Sequence, residues 1–155
     1  MRLSTKSRYG VRALFDIAYN SGNLPAQIQD ISRRQDISPR YLEQIFQSLK
    51  RAGILKSKRG PQGGYYLGRK PEEITLSDIV QATEGDTLLV ECTEDKKCKK
   101  GSCSFDGSCV AQVVWQDASA VLRQFLEGIT LKTLCERGQA MGVKKEQDHR
   151  FVYYI

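Results

Sequence analysis

The chain has 155 residues, of which 40% are hydrophobic and 27% are charged, and its formal net charge is +6. This composition is that of a small folded protein with one modest core, and it argues against a disordered or fibrous chain. No run approaches the roughly 18 apolar residues that cross a membrane, and no apolar signal core follows Met1, so we expect a cytoplasmic protein.

The charge is distributed unevenly along the chain. The first 70 residues carry 14 of the 24 Lys and Arg side chains but only 4 of the 18 Asp and Glu side chains. A basic half joined to an acidic half is typical of a protein whose one end meets a polyanion, although uneven solvation charges would give the same counts. We therefore predict a basic head over residues 1–70 and a second region, with another role, over residues 71–155.

Apolar spacing predicts three helices and a hairpin in the head. The first helix lies within residues 5–20, the second ends near Gln35, and the third begins after Ser38, a good N-cap, and ends at Gly53. Two strand-like runs, 54–58 and 65–67, are separated by a stretch dense in turn residues. This order predicts a mostly α fold with a small β-hairpin wing, that of a winged helix-turn-helix.

The second region begins with a capping box and ends in a long helix. Thr75 and Asp78 predict a short helix that ends near Glu84, and the aperiodic stretch 86–108 predicts a long loop that is functional or disordered. From Cys109 to Leu126 apolar residues recur at the spacing of a coiled-coil seam, at Ala111, Val114, Ala118, Val121 and Phe125. We expect this dimerisation helix to pair with its twin in a homodimer, although one chain could bury the same stripe by itself.

The third helix and the hairpin tip carry side chains suited to double-stranded DNA. Arginine forks onto guanine, glutamine onto adenine, and glutamate accepts from cytosine, and the outward positions of the helix are Arg40, Tyr41, Glu43 and Gln44. Arg59 lies at a basic, glycine-rich hairpin tip, where it suits the minor groove. The alternatives are a solvated helix face and a charged hairpin without a role.

Four of the five cysteines lie within 18 residues, at Cys92, Cys98, Cys103 and Cys109. In a reducing compartment such a cluster predicts metal ligands before disulfides. The intervals of five, four and five residues differ from the CxxC pairs of most structural zinc sites, and they fit the wider spread of ligands around an iron-sulfur cluster better. The fifth cysteine, Cys135, is at helical spacing from Leu131 and is interpreted as a buried core thiol.

The runs 2–9, 41–44 and 59–65 closely resemble the Rrf family of bacterial winged-helix regulators, and the resemblance spans nearly the whole chain. It is greatest to members that sense iron-sulfur clusters, while the ending 151–155 is similar to that of the family's repressor of cysteine metabolism. The resemblance implies that the third helix and the wing contact DNA. By this resemblance, the residues expected to contact DNA are Ser38, Arg40, Tyr41, Glu43, Gln44 and Arg59.

The resemblance also implies a cluster held by three cysteines and one histidine. Trp115 and Asp117 align Cys109 with the last of those cysteines and place Gln112 where the histidine belongs. An all-cysteine set around a two-iron, two-sulfur cluster is the simplest replacement, and the tail residue His149 is a weak substitute.

These features predict a DNA-binding transcriptional regulator of repressor type that senses cluster status and binds a pseudo-palindromic operator as a homodimer. The nearest alternative is a cluster-free repressor of cysteine metabolism that responds to thiol oxidation or to a protein partner. Another is a zinc-stabilised adaptor whose head binds protein or RNA. One tail histidine and no phosphate loop argue against an enzyme.

Overall fold

The computed structural model describes residues 3–85, 89–90 and 108–146. These residues are mostly helical and contain one β-hairpin, as the sequence predicts. The helices and strands are α1 (Thr5–Asp16), α2 (Ile28–Gln35), α3 (Pro39–Arg51), β1 (Leu55–Lys58), β2 (Gly64–Leu67), α4 (Leu76–Glu84), α5 (Val110–Glu127) and α6 (Leu131–Ala140). A π-helical turn, Ile17–Ser21, extends α1, and a 3-10 turn, Pro71–Glu73, precedes α4.

Local capping fixes where α3 and α4 begin. The Ser38 hydroxyl accepts a hydrogen bond from the backbone N–H of Tyr41, and Pro39 occupies the first turn of α3. At α4, Thr75 and Asp78 bond to each other's backbone N–H groups at 3.1 and 3.0 Å. Such caps satisfy helix donors that otherwise have no partner, and each contributes about 1 kcal/mol. Both predicted helix starts are confirmed.

One hydrophobic core holds the helices together. Leu14 of α1 and Phe46 of α3 are buried within it, and so are Ile74, Ile79 and Leu131, which come from beyond residue 70. The core is therefore shared between the two regions that the sequence predicts. Residues 71–155 contribute α4 and the start of α6 to the packing of the head.

The wing is attached to the helical head through backbone hydrogen bonds. β1 and β2 pair antiparallel, with Leu55 opposite Leu67 and Lys58 opposite Gly64. Ala26, in the segment before α2, exchanges two backbone hydrogen bonds of 2.8 Å with Tyr65. Gly64 has φ of +151°, and a Cβ there would collide with the carbonyl oxygen of Ala26, so this close approach requires glycine.

Helix α6 lies close to α1 at Gly138. A Cβ on Gly138 would lie 2.8 Å from the ring of Phe15, so the two helices approach more closely than a larger residue allows. The segment that follows α6 also contacts the head, because the Tyr19 hydroxyl donates to the carbonyl of Val143 at 2.8 Å. The sequence predicted helical spacing around Cys135 but not the bounds of this helix.

The apolar stripe of α5 faces away from the rest of the described chain. Val121 and Phe125 are 67% and 64% exposed, and Val114 is 59% exposed, whereas Ser119 and Leu126 are buried on the opposite side. The other described residues therefore do not cover the stripe. Within the described ranges, no helix is long and apolar enough to span a lipid bilayer.

Candidate nucleic-acid interface

Helix α3 has one buried face and one exposed polar face. Its inner side chains, Leu42, Ile45, Phe46 and Leu49, are fully buried. Arg40, Glu43 and Gln44 are exposed on the other side, in the first two turns. The apolar stripe anchors the helix in the core, so the polar face is presented on a rigid support.

Ser38 and Tyr41 occupy the beginning of the same helix but differ in exposure. Ser38 is exposed, and its hydroxyl, which accepts from the N–H of Tyr41, keeps its own proton for donation. Tyr41 is half-buried, and its ring packs edge-on against the ring of Tyr9 in α1 at a centroid distance of 5.8 Å. Tyr41 therefore has a fixed ring, whereas Arg40 and Glu43 project freely.

Arg59 is exposed at the tip of the wing, between Lys58 and Gly60. The wing is also tied to the C-terminal end of α3, because the Lys50 ammonium donates to the Ser57 hydroxyl at 2.7 Å. The hairpin tip and the polar face of α3 thus belong to one unit. An exposed polar helix face beside a basic hairpin tip is an arrangement that can contact both grooves of double-stranded DNA.

The negative charge of Glu43 acts on a tyrosine of the wing. Burial raises the pKa of Tyr65 in β2, and the negative charge of Glu43 raises it further. The Tyr65 ring also packs on Phe46 of α3 at a centroid distance of 4.6 Å. A carboxylate on this mostly basic surface repels phosphate, so its presence favours a role in discrimination rather than in general affinity.

Of the four predicted metal ligands, Cys92, Cys98 and Cys103 lie outside the described residues, as does His149. Cys109 is half-buried at the N-cap position of α5, where its side chain caps no backbone group. Its sulfur is a soft donor of the kind that binds iron. Within the described residues, no group of three or more His, Cys, Asp and Glu could hold a metal ion.

Gln112 lies at the position that the resemblance assigns to a histidine, and it is half-buried in the first turn of α5. Its backbone N–H donates to the carbonyl oxygen of Cys109 at 3.1 Å. The two side chains therefore belong to the same turn. Cys135 is half-buried in α6, less buried than the core position that the sequence predicts. Burial raises the pKa of the Cys135 thiol, which keeps it protonated and a poor ligand.

Two polar clusters that position the head were not found by sequence reasoning. In the first, Asp16 is fully buried and pairs with Arg34 of α2 at 2.7 Å. In the second, the carboxylate of Glu84, at the end of α4, accepts hydrogen bonds from the hydroxyls of Ser4 and Ser7 at the start of α1. The partners in each cluster are far apart in the chain, so no local pattern signals them.

Comparison with known sequences gives a family match over most of the chain. The profile of the Rrf2 family, described as an iron-dependent transcriptional regulator, matches residues 3–137. The HTH-type transcriptional regulator IscR of Aliivibrio salmonicida is 36% identical over 148 residues, which are 96% of this chain and 85% of that protein. IscR of Cronobacter sakazakii is 38% identical over 148 residues, which are 95% of this chain and 88% of that protein.

Comparison with solved structures gives the same fold. CymR, described as the global cysteine regulator of B. subtilis, superimposes with a TM-score of 0.72 at 30% identity, over 88% of this chain and 98% of that chain. IscR of T. potens superimposes with a TM-score of 0.71 at 34% identity, over 98% of this chain and 97% of that chain. The predicted winged-helix class and the family resemblance are confirmed.

Proposed function

The chain belongs to the Rrf2 family of transcriptional regulators, and from this premise we propose that α3 and the wing bind an operator in double-stranded DNA. Its relatives are regulators and not enzymes. The observation that carries the proposal is the exposed polar face of α3 beside the exposed Arg59, on a head with 14 basic and 4 acidic side chains. This head, residues 1–70, is the DNA-binding region of the proposal.

Each proposed contact follows from the chemistry of its side chain. Arg40 donates to guanine, Gln44 bonds adenine, and Glu43 accepts from the amino group of cytosine. Ser38 and Tyr41, at the start of the helix, carry hydroxyls that reach the sugar-phosphate backbone beside the major groove. Arg59 enters the minor groove.

The active species of the proposal is a homodimer joined through α5. Its outward stripe, with Val121 at 67% and Phe125 at 64% exposure, leaves more apolar surface in water than a lone helix of a stable monomer normally does. Pairing with a second copy buries this stripe and gives the dimer two-fold symmetry. Two heads related in this way bind half-sites spaced by about one turn of DNA, so the operator is pseudo-palindromic.

Residues 71–155 form the sensor and dimerisation region of the proposal. Cys92, Cys98, Cys103 and Cys109 together hold a two-iron, two-sulfur cluster, for which thiolates supply soft ligands. Two observations support this: the matching family is described as iron-dependent, and Cys109 is a half-buried free cysteine at the N-cap of α5 whose side chain makes no capping bond. Binding of the cluster would add to the free energy of unfolding of the protein.

A second candidate rests on the superposition with CymR of B. subtilis, a global cysteine regulator. In this alternative the chain is a cluster-free repressor of cysteine metabolism, and its cysteines respond to oxidation or to a partner protein. Both candidates use the same DNA-binding head. They differ only in what the second region senses.

The test begins with protein purified without oxygen and a selection of bound sequences from random duplex DNA. We expect a pseudo-palindromic motif, a visible absorption spectrum, and iron and sulfide in equal amounts. Cys109→Ala abolishes the colour, whereas the matched control Cys135→Ala keeps it. A selection that enriches no motif contradicts operator binding.

The metal content separates the remaining alternatives. Colourless, metal-free protein that still selects a motif supports the cysteine regulator over the cluster sensor. Stoichiometric zinc without sequence preference supports a zinc-stabilised adaptor.

A further inference from the structure

Helix α1 braces the turn between α2 and α3 from outside. We propose that Tyr9 and Arg12, which lie on one face of α1, are positioning residues for the recognition helix. The inference rests on the proposed DNA contacts of α3 and adds two residues to which neither composition nor motif assigned a role. It concerns sequence discrimination, because the orientation of α3 decides which base edges its side chains reach.

The first contact holds the beginning of α3. The Tyr9 and Tyr41 rings meet at 5.8 Å between centroids with an angle of 89° between their planes, which is the favourable edge-to-face geometry. Tyr41 lies in the first turn of α3, one residue after Arg40 and two before Glu43. A shift of this ring therefore displaces the side chains proposed to read the bases.

The second contact holds the end of α2. The Arg12 guanidinium lies over the Tyr9 ring at 5.3 Å from its centroid, donates to the carbonyl oxygen of Gln35, and reaches the Gln35 side-chain oxygen at 3.3 Å. Gln35 is the last residue of α2, so Arg12 satisfies a carbonyl at the helix end that has no helical donor. One arginine thus joins the end of α2 to the ring that holds the start of α3.

The turn between these contacts is under backbone strain. Asp36 has φ of 51° and ψ of 53°, and among the described residues it is the only non-glycine with positive φ. A residue other than glycine adopts this conformation at an energetic cost, so surrounding contacts must maintain it. The brace from α1 spans this strained residue, with Gln35 on one side and Tyr41 on the other.

The brace is anchored in the core. The Gln35 amide donates to the buried carboxylate of Asp16 at 2.9 Å, and Asp16 is held in turn by Arg34 at 2.7 Å. Arg12, Gln35 and Asp16 thus connect an exposed arginine to a fully buried acid. Because the anchor is rigid, the position of Tyr41 follows from α1 and not from the turn alone.

The test compares variants that keep or remove each contact. Affinity is measured for the selected operator and for scrambled DNA of the same length, over a range of salt, together with the melting temperature. Tyr9→Leu should lower the ratio of the two affinities by about tenfold while affinity for scrambled DNA changes less than about twofold, because misplaced base contacts lose specificity and phosphate contacts persist. Tyr9→Phe should restore the ratio, since it keeps the ring.

Arg12→Lys provides a second route to the same result if Tyr9→Leu does not fold. It keeps the charge but loses the guanidinium fork that bonds Gln35, so the ratio should again fall. The matched control is Arg8→Lys, since Arg8 lies 6.0 Å from the same Tyr9 ring and is exposed. This control should leave the ratio unchanged.

Three results overturn the inference. In the first, the ratio stays at the wild-type value in both Tyr9→Leu and Arg12→Lys. In the second, Arg8→Lys lowers the ratio as much as Arg12→Lys does. In the third, Tyr9→Phe is as defective as Tyr9→Leu and affinity for scrambled DNA falls equally, which would make the Tyr9 hydroxyl a phosphate ligand. The proposed function fails separately, when the wild-type protein selects no sequence.

Discussion

The carboxylate of Glu84 accepts a 2.9 Å hydrogen bond from the backbone N–H of Ser4, which joins the end of α4 to the start of α1. The same oxygen accepts from the hydroxyls of Ser4 and Ser7. Glu84 is followed, after Gly85, by the stretch 86–108, which contains three of the four proposed cluster ligands. One acidic side chain therefore links the first turn of α1 to the end of α4, just before the cysteine-containing stretch in the sequence.

This link should make the free energy of unfolding depend on pH in the acidic range where the Glu84 carboxylate becomes protonated. Burial alone would raise the pKa of Glu84, but the hydrogen bonds from Ser4 and Ser7 outweigh it and hold the pKa below its ordinary value of 4.5. The ionised form is thus favoured in the folded state, so the stabilisation is complete above pH 4.5 and is lost as the pH falls through the folded pKa.

Glu84→Gln should therefore lower the melting temperature near neutral pH. The difference in melting temperature between the variant and wild type should become smaller as the pH falls below about 4.5. Melting followed by circular dichroism from about pH 3 to pH 7 measures this. Glu72→Gln, at an exposed glutamate in the 3-10 turn, is the control and should show no such narrowing. A gap for Glu84→Gln that stays constant over the whole range would contradict the prediction.

Removing the side chain at the tip of the wing should weaken operator binding. Arg59→Ala loses about 1 to 3 kcal/mol of specific binding free energy, because a cation placed in the minor groove is lost while the fold is unchanged. Fluorescence anisotropy with the selected operator measures the loss. Gln62→Ala, an exposed neutral change in the same turn, serves as the control. Equal affinities of Arg59→Ala and wild type would remove the wing from the mechanism.

Replacing the exposed acid of α3 should broaden specificity more than it lowers affinity. Glu43→Ala removes a carboxylate that accepts from cytosine and repels sites without one, so more sequences should bind while the best site loses little. Repeating the selection with this variant shows the change. Gln47→Ala, exposed one turn further along α3, should return the wild-type motif. If Glu43→Ala also returns that motif, Glu43 does not discriminate.

A charge on the outward stripe of α5 should prevent dimerisation. Val121→Asp buries an unpaired carboxylate at the proposed interface, at a cost of several kcal/mol, so light scattering should report monomers. Because Val121 is exposed in the single chain, the monomer should stay folded. Ala120→Asp, exposed on another face of α5, should remain dimeric. A folded Val121→Asp dimer would place the interface elsewhere.

Local signals account for the parts of the fold that the sequence predicted. Ser38, Pro39 and the capping box at Thr75 act within a few residues of themselves, so the starts of α3 and α4 could be read directly. The turn residues around Gly60 likewise specify the hairpin without help from distant parts of the chain. The same locality made the exposed face of α3 recognisable, since burial of its inner stripe leaves the other side in solvent.

The remaining features depend on contacts between distant residues. Asp16 is fully buried, and the residue that neutralises it, Arg34, lies 18 residues away in the sequence. Ser4 and Glu84 are separated by 80 residues, and no spacing rule connects them. The partners of Tyr41 could not be foreseen for the same reason. The structure describes Cys109 alone among the four candidate ligands, so the composition of the metal site remains a proposal.

The paired backbone bonds between Ala26 and Tyr65 have a thermodynamic consequence for association with DNA. An isolated two-stranded hairpin is marginally stable in water, and a free wing would lose conformational entropy on entering a groove. Here the base of the hairpin is already held against the helical domain in the unbound protein. The base of the wing therefore loses its conformational entropy when the protein folds. If the wing binds DNA, only its exposed tip has still to become ordered.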